Sequence, residues 1–509
     1  MENIQNSKKI AKNTIMLYFR QILIMLVSLF TVRVVLNTLG ADDYGIYNVV
    51  AGIVTMFSFL SGSMAAASQR YFCVAIGEND SVKLKQYFSM SLTIYILIAL
   101  IIFIFAETFG LYFILKKLVV PDNRYIAAIW VYESSVLSMM FTIITSPFMA
   151  SIIAHEDMKI YAYVSVIEVI MKLLIVFLLP IFPIDKLIFY SILMFLVTLI
   201  NTALYRFYCH KKYEECYFKF YWNKNLFKEL MSYTGWNLFG SCVGVFKNQI
   251  VNVILNQFFT PIVNAARGIA SQVNSAINSF ASNFMTAVKP QIVKRYAIGE
   301  KDSMIQLMFS SSKASFFLMY IFALPLIIEM PYVLKLWLKN TPNYAVIFTI
   351  LALIDALIDT VSYSLMGVVQ ATGRIKLYQA VVGSILLLNA PFSYLAMKLG
   401  SPAYSVFLIA IFFTLIAGIA RLIIVNNLVH FSILRYIRNV ILPIMLCIIL
   451  TFIPPYYIHS VMKIGFLRLV VVVLVSCISI TIVGYLIAID KNEKVIVKKY
   501  LKNKLGKNM

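Results

Sequence analysis

Between residues 267 and 289, polar side chains recur at steps of three and four: Arg267, Ser271, Ser275, Asn278, Ser282, Thr286 and Lys289. That spacing places them on one face of a helix. A guanidinium and an ammonium hold phosphate or carboxylate oxygens through charge-assisted hydrogen bonds. The hydroxyls and amides between them can satisfy the hydroxyls of a sugar. The two cations are 22 residues apart, about 33 Å along a helix rising about 1.5 Å per residue, close to the thickness of a bilayer's hydrocarbon core. A polar stripe of this kind is unfavourable against lipid and suits a wet cavity. The alternative, that Ser and Asn pack one helix on another, stays open. A parallel stripe precedes it, with Asn237, Ser241, Gly244, Asn248, Asn252 and Asn256, and Lys247 beside it.

Other charges stand in apolar surroundings, where a charge is unfavourable and usually functional. Arg33 falls near the outer end of the first apolar segment, and Arg70 and Arg421 near inner ends; Lys247 and Lys313 lie deeper. For Arg20, Arg70, Arg421 and Arg468, snorkelling to headgroups is the plain alternative. Glu168 and Lys172 stand at i, i+4 in the order that favours an ion pair. Asp355 and Asp359 share a face at the same spacing, and two such carboxylates need a cation or a proton between them. They are candidates for binding a coupling ion, or each pairs with a cation such as Lys313. The candidate contacts for an anionic cargo are therefore Arg33, Lys247, Asn248, Arg267, Ser275, Asn278, Ser282 and Lys289, with Arg70 and Lys313 as further candidates. No catalytic constellation, metal-ligand spacing or cofactor motif accompanies them. His155, His210, His430 and His459 read as isolated, the six cysteines are scattered, and no phosphate-binding GxxxxGK[ST] loop is present. The sequence does not read as an enzyme.

The surrounding chain must hold these groups in a membrane. Its 509 residues are 61% hydrophobic and 13% charged, with mean hydropathy +0.85, far from a soluble composition. A net charge of +22 would suit a nucleic-acid partner, but the basic residues gather in one alternate set of loops and at both ends. That is the positive-inside pattern, which excludes nucleic acid and makes both termini cytoplasmic. Lys116, Lys117 and Arg124 are the exception on the other side. The N-terminal run has no short apolar core with a small-residue cleavage site and reads as a first span. Apolar segments fall near 14–38, 45–76, 86–115, 124–153, 160–181, 186–209, 229–258, 263–296, 304–330, 344–372, 377–398, 402–428, 437–458 and 464–488, about fourteen spans.

The chain also repeats itself. Ala75-Ile76-Gly77-Glu78 matches Ala297-Ile298-Gly299-Glu300, 222 residues on, with Asp80 against Asp302 and Gln69 against Gln291. Ala154 to Tyr161 is echoed by Ala371 to Tyr378. An even-numbered repeat in one orientation predicts two lobes related by a pseudo-twofold along the membrane normal. The expectation is an all-α polytopic membrane protein: an N-terminal six-helix lobe at 1–210, a cytoplasmic linker at 211–228, a second six-helix lobe at 229–430, two further helices at 431–488 and a basic cytoplasmic tail at 489–509.

Leu39-Gly40 followed by Asp43-Tyr44-Gly45-Ile46-Tyr47, the small-residue run ending at Arg70, and the segment KPQIVKRYAIGEKD resemble the Wzx-type polysaccharide and O-antigen repeat-unit flippases. These belong to the multidrug/oligosaccharidyl-lipid/polysaccharide exporter superfamily. The resemblance covers nearly the whole chain. It implies a MATE-like pair of six-helix bundles, a V-shaped cavity and alternating access. It implies transport of an undecaprenyl-pyrophosphate-linked oligosaccharide to the periplasmic leaflet of the bacterial inner membrane, for lipopolysaccharide, O-antigen or capsule. Its partners would be that lipid-linked substrate, membrane lipids, and the polymerase and glycosyltransferases of the same pathway. Cavity cations hold the head of the substrate in such proteins, and Arg33, Lys247, Arg267 and Lys289 are the candidates here. A MATE-like drug or cation antiporter would want more acids in its cavity. A membrane-embedded glycan polymerase or ligase would want a large periplasmic loop with Arg and His, which the chain lacks.

Overall fold

The computed structural model describes residues 2–55, 57–116, 121–259, 261–338 and 342–488, without the side chains of some helical positions, Arg33 and Asn248 among them. Among the described residues the fold is helical throughout, without a strand. Fourteen long helices follow one another: α1 Glu2–Thr55, α2 Ser58–Gly77, α3 Ser81–Gly110, α4 Tyr125–Ala154, α5 Met158–Leu178, α6 Lys186–Lys212 and α7 Lys224–Phe258. Then come α8 Pro261–Ala297 and α9 Lys301–Leu338, α10 Ala345–Thr372, α11 Ile375–Lys398, α12 Ser405–Val429, α13 Ile433–Val461 and α14 Phe466–Ile487. Gly40 breaks α1 with φ 82°, a left-handed value that an L side chain resists. The residues after it stay helical to Thr55, ahead of α2.

Twelve of these helices contain a stretch long and apolar enough to cross a membrane. The two that do not are α2 and α8, whose small and polar residues lower their hydropathy. They are the helices that carry the repeated motif, so length rather than apolarity marks them. A helix that packs polar groups inward needs no lipid-like face all round.

The chain forms two compact units: residues 11–242, and residues 1–10 with 243–509. The division falls within α7. In the first unit Asn237 and Ser241, from the polar stripe of α7, are spent on α2. Asn237 donates to the Ser63 carbonyl at 2.9 Å, and the Ser63 and Ser241 hydroxyls are 2.6 Å apart.

The repeats end their helices in one way. Asn79 is left-handed at φ 55°, the Asp80 amide donates to the Ala75 carbonyl at 3.0 Å, and the Asn79 amide donates to that of Ile76 at 3.2 Å. In the second copy Gly299 has φ 82°, with Glu300 to Arg295 at 2.9 Å and Gly299 to Tyr296 at 3.1 Å. Both are the paired bonds of a Schellman ending. The left-handed residues are 220 positions apart, against 222 for the matching letters, because Asn supplies in the first copy what Gly supplies in the second. The other echo keeps its register, with Glu156 at φ 62° opposite Gly373 at φ 75°.

Ionic contacts tie the ends of the first unit's helices. Arg124 bonds both carboxylate oxygens of Asp43 and pairs with Asp185, which also caps α6 through the amides of Leu187 and Ile188. Asp43 of the Asp43-Tyr44-Gly45 motif is thus held by one of the three basic residues that break the charge rule. At the α4–α5 turn, Asp157 accepts from Tyr213 at 2.6 Å and from Tyr208 at 3.2 Å, and from Lys212. His155 stacks on Tyr213 with centroids 4.2 Å apart and bonds Glu215 at 2.6 Å. This corrects the expectation of isolated histidines.

Burial pushes the Asp157 carboxyl up, but the Lys212 and Tyr213 donors outweigh it and hold it below the usual carboxylate range. The stabilisation from this charge is complete above the unfolded pKa of about 4 and is lost as pH falls through the lowered folded value. Asp157→Asn is therefore expected to lower the melting temperature of purified protein at pH 7, with the gap to wild type closing towards pH 3. A gap independent of pH would show that Asp157 acts through shape alone.

Candidate functional site

The second unit brings three of the expected charges to one cavity of about 80 Å³. Lys247 of α7, Arg267 of α8 and Asp355 of α10 line it, with Ser271, Asn274 and Asn389. Water takes about 30 Å³ in the liquid, so the space suits a few waters or one phosphate-sized group. Lys247 Nζ is 3.5 Å from Asp355 Oδ2 and 3.5 Å from Thr414 Oγ1. Those are long contacts for a charged donor. Asp355 Oδ1 and Asn274 Oδ1 are buried without a hydrogen-bond partner from the protein. Arg267 is buried. Counting Lys247, Arg267 and Asp355, the cavity carries a net positive charge.

One turn along α10, Asp359 is held differently. Arg421 of α12 donates to its Oδ1 at 2.5 Å. The two α10 carboxylates therefore pair with Lys247 and Arg421, not with Lys313. Lys313 is buried on α9, next to Ser312, whose hydroxyl bonds Ser364. Arg421 does not snorkel, its side chain being 9% exposed. Nor does Arg468, which is bound to a fully buried Glu329.

The α8 stripe divides. Arg267, Ser271 and Asn274 meet the cavity, and Asn278 accepts from the Tyr363 hydroxyl at 2.9 Å. Ser275 and Ser282 are exposed and lie off this cavity, and Thr286 is spent on the Ser282 carbonyl at 3.0 Å. Lys289 is half-buried, and its stem runs over Gly367, where an added Cβ would meet Lys289 Cγ at 3.8 Å and Ile292 Cδ1 at 3.3 Å. That close approach is what glycine permits there. Arg70 lies in the first unit, its guanidinium 4.6 Å from the Tyr71 ring and 5.3 Å from that of Tyr233. The side chains of Arg33 and Asn248 fall outside the described residues. Asn274 and Asn389 on the cavity wall, and Thr414 as a partner of Lys247, were missed by the sequence reading. Asn274 had its signal, being three residues after Ser271 and four before Asn278.

Among the described residues no group of His, Cys, Asp and Glu could hold a metal ion.

Solved structures share the fold. A MATE transporter, ClbM, in complex with Rb+ superposes with a TM-score of 0.70 at 14% identity, covering 85% of this chain and 96% of its own. An outward-facing multidrug resistance MATE family transporter of the MOP superfamily gives 0.73 at 11%, covering 83% and 96%. A MOP superfamily transporter from Pyrococcus furiosus, described as having a binding pocket of reverse polarity, gives 0.69 at 10%, covering 82% and 95%. These likenesses show a MATE-like fold. No curated protein matches the sequence. The polysaccharide biosynthesis protein family matches residues 10–295, more than half of the chain. With that match, and with helices long and apolar enough to cross a membrane many times, the chain is a multi-pass membrane protein that belongs to the polysaccharide biosynthesis family.

Proposed function

We propose that this protein is a flippase. It carries an undecaprenyl-pyrophosphate-linked oligosaccharide from the cytoplasmic to the periplasmic leaflet of a bacterial inner membrane by alternating access, for a surface polysaccharide. Its lobes are 1–210 and 229–430, both termini are cytoplasmic, and its cargo comes from glycosyltransferases and passes to a polymerase. The observation that carries the reading is the small cationic cavity in a protein of the polysaccharide biosynthesis family. Lys247 and Arg267 share it with amides and one loosely held acid. Arg and Lys donors suit a pyrophosphate, and a space of this size suits the phosphate rather than the sugar. A cation exporter would need uncommitted acids, whereas Asp355 and Asp359 each face a cation.

Flipping requires that each contact be strong enough to capture the phosphate and weak enough to release it. A hydrogen bond to a charged group contributes about 1.5–3 kcal/mol, so losing one should slow transport about tenfold or more. Arg267→Ala and Lys289→Ala are each expected to slow flipping of lipid-linked glycan in proteoliposomes by that factor at normal protein level. Arg267→Lys should keep most of the rate. Wild-type rates in both alanine variants would leave the α8 stripe a packing face and sink this reading of it.

A further inference from the structure

The first unit holds a larger cavity, of about 500 Å³, in the range of small-molecule pockets. Its wall comes from α1, α2, α4, α5 and α6. Hydroxyls of Thr31, Thr145, Ser146, Ser165, Thr198 and Thr202 line it, with the phenol rings of Tyr161 and Tyr205 and the amide of Asn201. Such a wall both donates and accepts hydrogen bonds and offers aromatic faces. Ile24, Val27, Met149 and Val169 complete the wall, so a polyol finds hydrogen-bond partners there and apolar surface for the faces of its rings.

The charges are arranged for an anion. Glu168 is committed at both oxygens, to Lys172 at 2.6 Å and to the Asn201 amide at 3.0 Å. That pair is the one expected from the i, i+4 spacing, and it is electrically closed. Arg20 remains. Its guanidinium lies 4.4 Å from the centre of the Tyr161 ring, and its Nε is buried without a protein partner, as are Asn201 Oδ1 and Thr31 Oγ1. A buried polar atom left unsatisfied costs about 1–3 kcal/mol. Three of them on one cavity, two donors and an amide acceptor among them, are groups for a ligand to satisfy. An acid engaged at both oxygens, by an ammonium and an amide, is a poor site for a coupling cation.

We propose that this cavity is a glycan subsite that takes a hydroxyl-rich sugar with one anionic group, whose oxygens pair with Arg20 while Asn201 and the hydroxyls hold the ring. The proposal rests on the reading of the cargo as a lipid-linked glycan and adds that the glycan head is acidic where it meets this unit. The anionic oxygens come either from a uronic acid in the repeat unit or from the diphosphate.

The test uses full-length protein in lipid nanodiscs and three probes: a disaccharide with one uronic acid, its neutral counterpart, and inorganic pyrophosphate. Binding is read by titration and by thermal protection. Wild type is expected to bind the acidic disaccharide at least tenfold more tightly than the neutral one. Arg20→Gln should erase that preference, and Thr142→Phe, which fills the cavity without touching an ionic contact, should weaken both sugars. Binding of pyrophosphate that Arg20→Gln weakens, without preference for the acidic sugar, supports the anion site and makes the diphosphate its source. Equal binding of both sugars by wild type with no pyrophosphate binding, or binding that Thr142→Phe leaves unchanged, overturns the proposal. If Arg20→Gln does not fold, wild-type preference and the Thr142→Phe result decide. A wild type that binds the acidic sugar but never translocates lipid-linked glycan would sink the flippase reading and leave the subsite standing.

Discussion

Arg468→Met is expected to destabilise the protein by about 3–5 kcal/mol, the usual loss when one partner of a buried ion pair is removed. Glu329 lies on α9 with its side chain 0% exposed, and Arg468 of α14, 7% exposed, donates to it at 2.7 Å. His459 of α13 meets the other carboxylate oxygen at 2.8 Å. Arg468 also reaches the His459 carbonyl at 3.4 Å. The last two helices are thus fastened to α9 through one carboxylate. Removing Arg468 strands a charge, whereas removing both charges does not. Glu329→Gln in the Arg468→Met background should therefore recover most of the loss, read as thermal unfolding of detergent-purified protein and as the monodisperse fraction. A double variant no more stable than the single would show that Arg468 acts by packing.

Asp355→Asn is expected to tighten binding of inorganic pyrophosphate about tenfold and, in the same protein, to slow transport. Lys247 is held by Asp355 at 3.5 Å and by Thr414 at the same distance, loosely enough for a phosphate to compete for it. With the carboxylate neutralised, the cavity gains a unit of positive charge and the competitor is gone. Capture improves and release suffers. Lys247→Ala should abolish the pyrophosphate binding that Asp355→Asn enhances. The Arg421–Asp359 contact is shorter, 2.5 Å, and Asp359→Asn should act mainly on stability. Transport is to be measured with and without a proton or sodium gradient: an ion dependence of the wild type that both single Asn variants keep would make the α10 acids counter-charges. If that dependence disappears in Asp355→Asn, Asp355 is where the ion binds.

Much of the architecture was legible because the bilayer imposes a length and a polarity that a single sequence displays. From α3 onward each apolar segment drawn from the sequence overlaps one helix, α8 included; the segment 45–76 instead covers the end of α1, up to Thr55, together with α2 from Ser58. The repeat was legible as matching letters but the helix endings were not, since the left-handed residue is Asn79 in the first copy and Gly299 in the second. The site was legible in part. Lys247, Arg267 and Asp355 line one cavity, and each stood out in the sequence as an ionisable group within an apolar segment. Asn274 was missed because Ser275 offered an equally good helical step, and only the packing of α8 decides which of the two turns inward. Partners were the least legible. Arg124 with Asp43 and Asp185, Glu329 with His459 and Arg468, and Arg421 with Asp359 are pairings across helices, and sequence spacing says nothing about which helices touch.

Glu329 and Arg468 are separated by 139 residues. At a synthesis rate of about 5–20 residues per second, the carboxylate leaves the ribosome roughly 7–28 s before its guanidinium. During that interval α9 is a span with an unmatched acid near two prolines, Pro325 and Pro331. A charge without a partner is unfavourable in the hydrocarbon core. Completion of this helix in the membrane is therefore an event of the last part of translation. A chain stopped before α14 would carry, in an otherwise finished bundle, a buried carboxylate with His459 beside it and without the guanidinium that α14 brings.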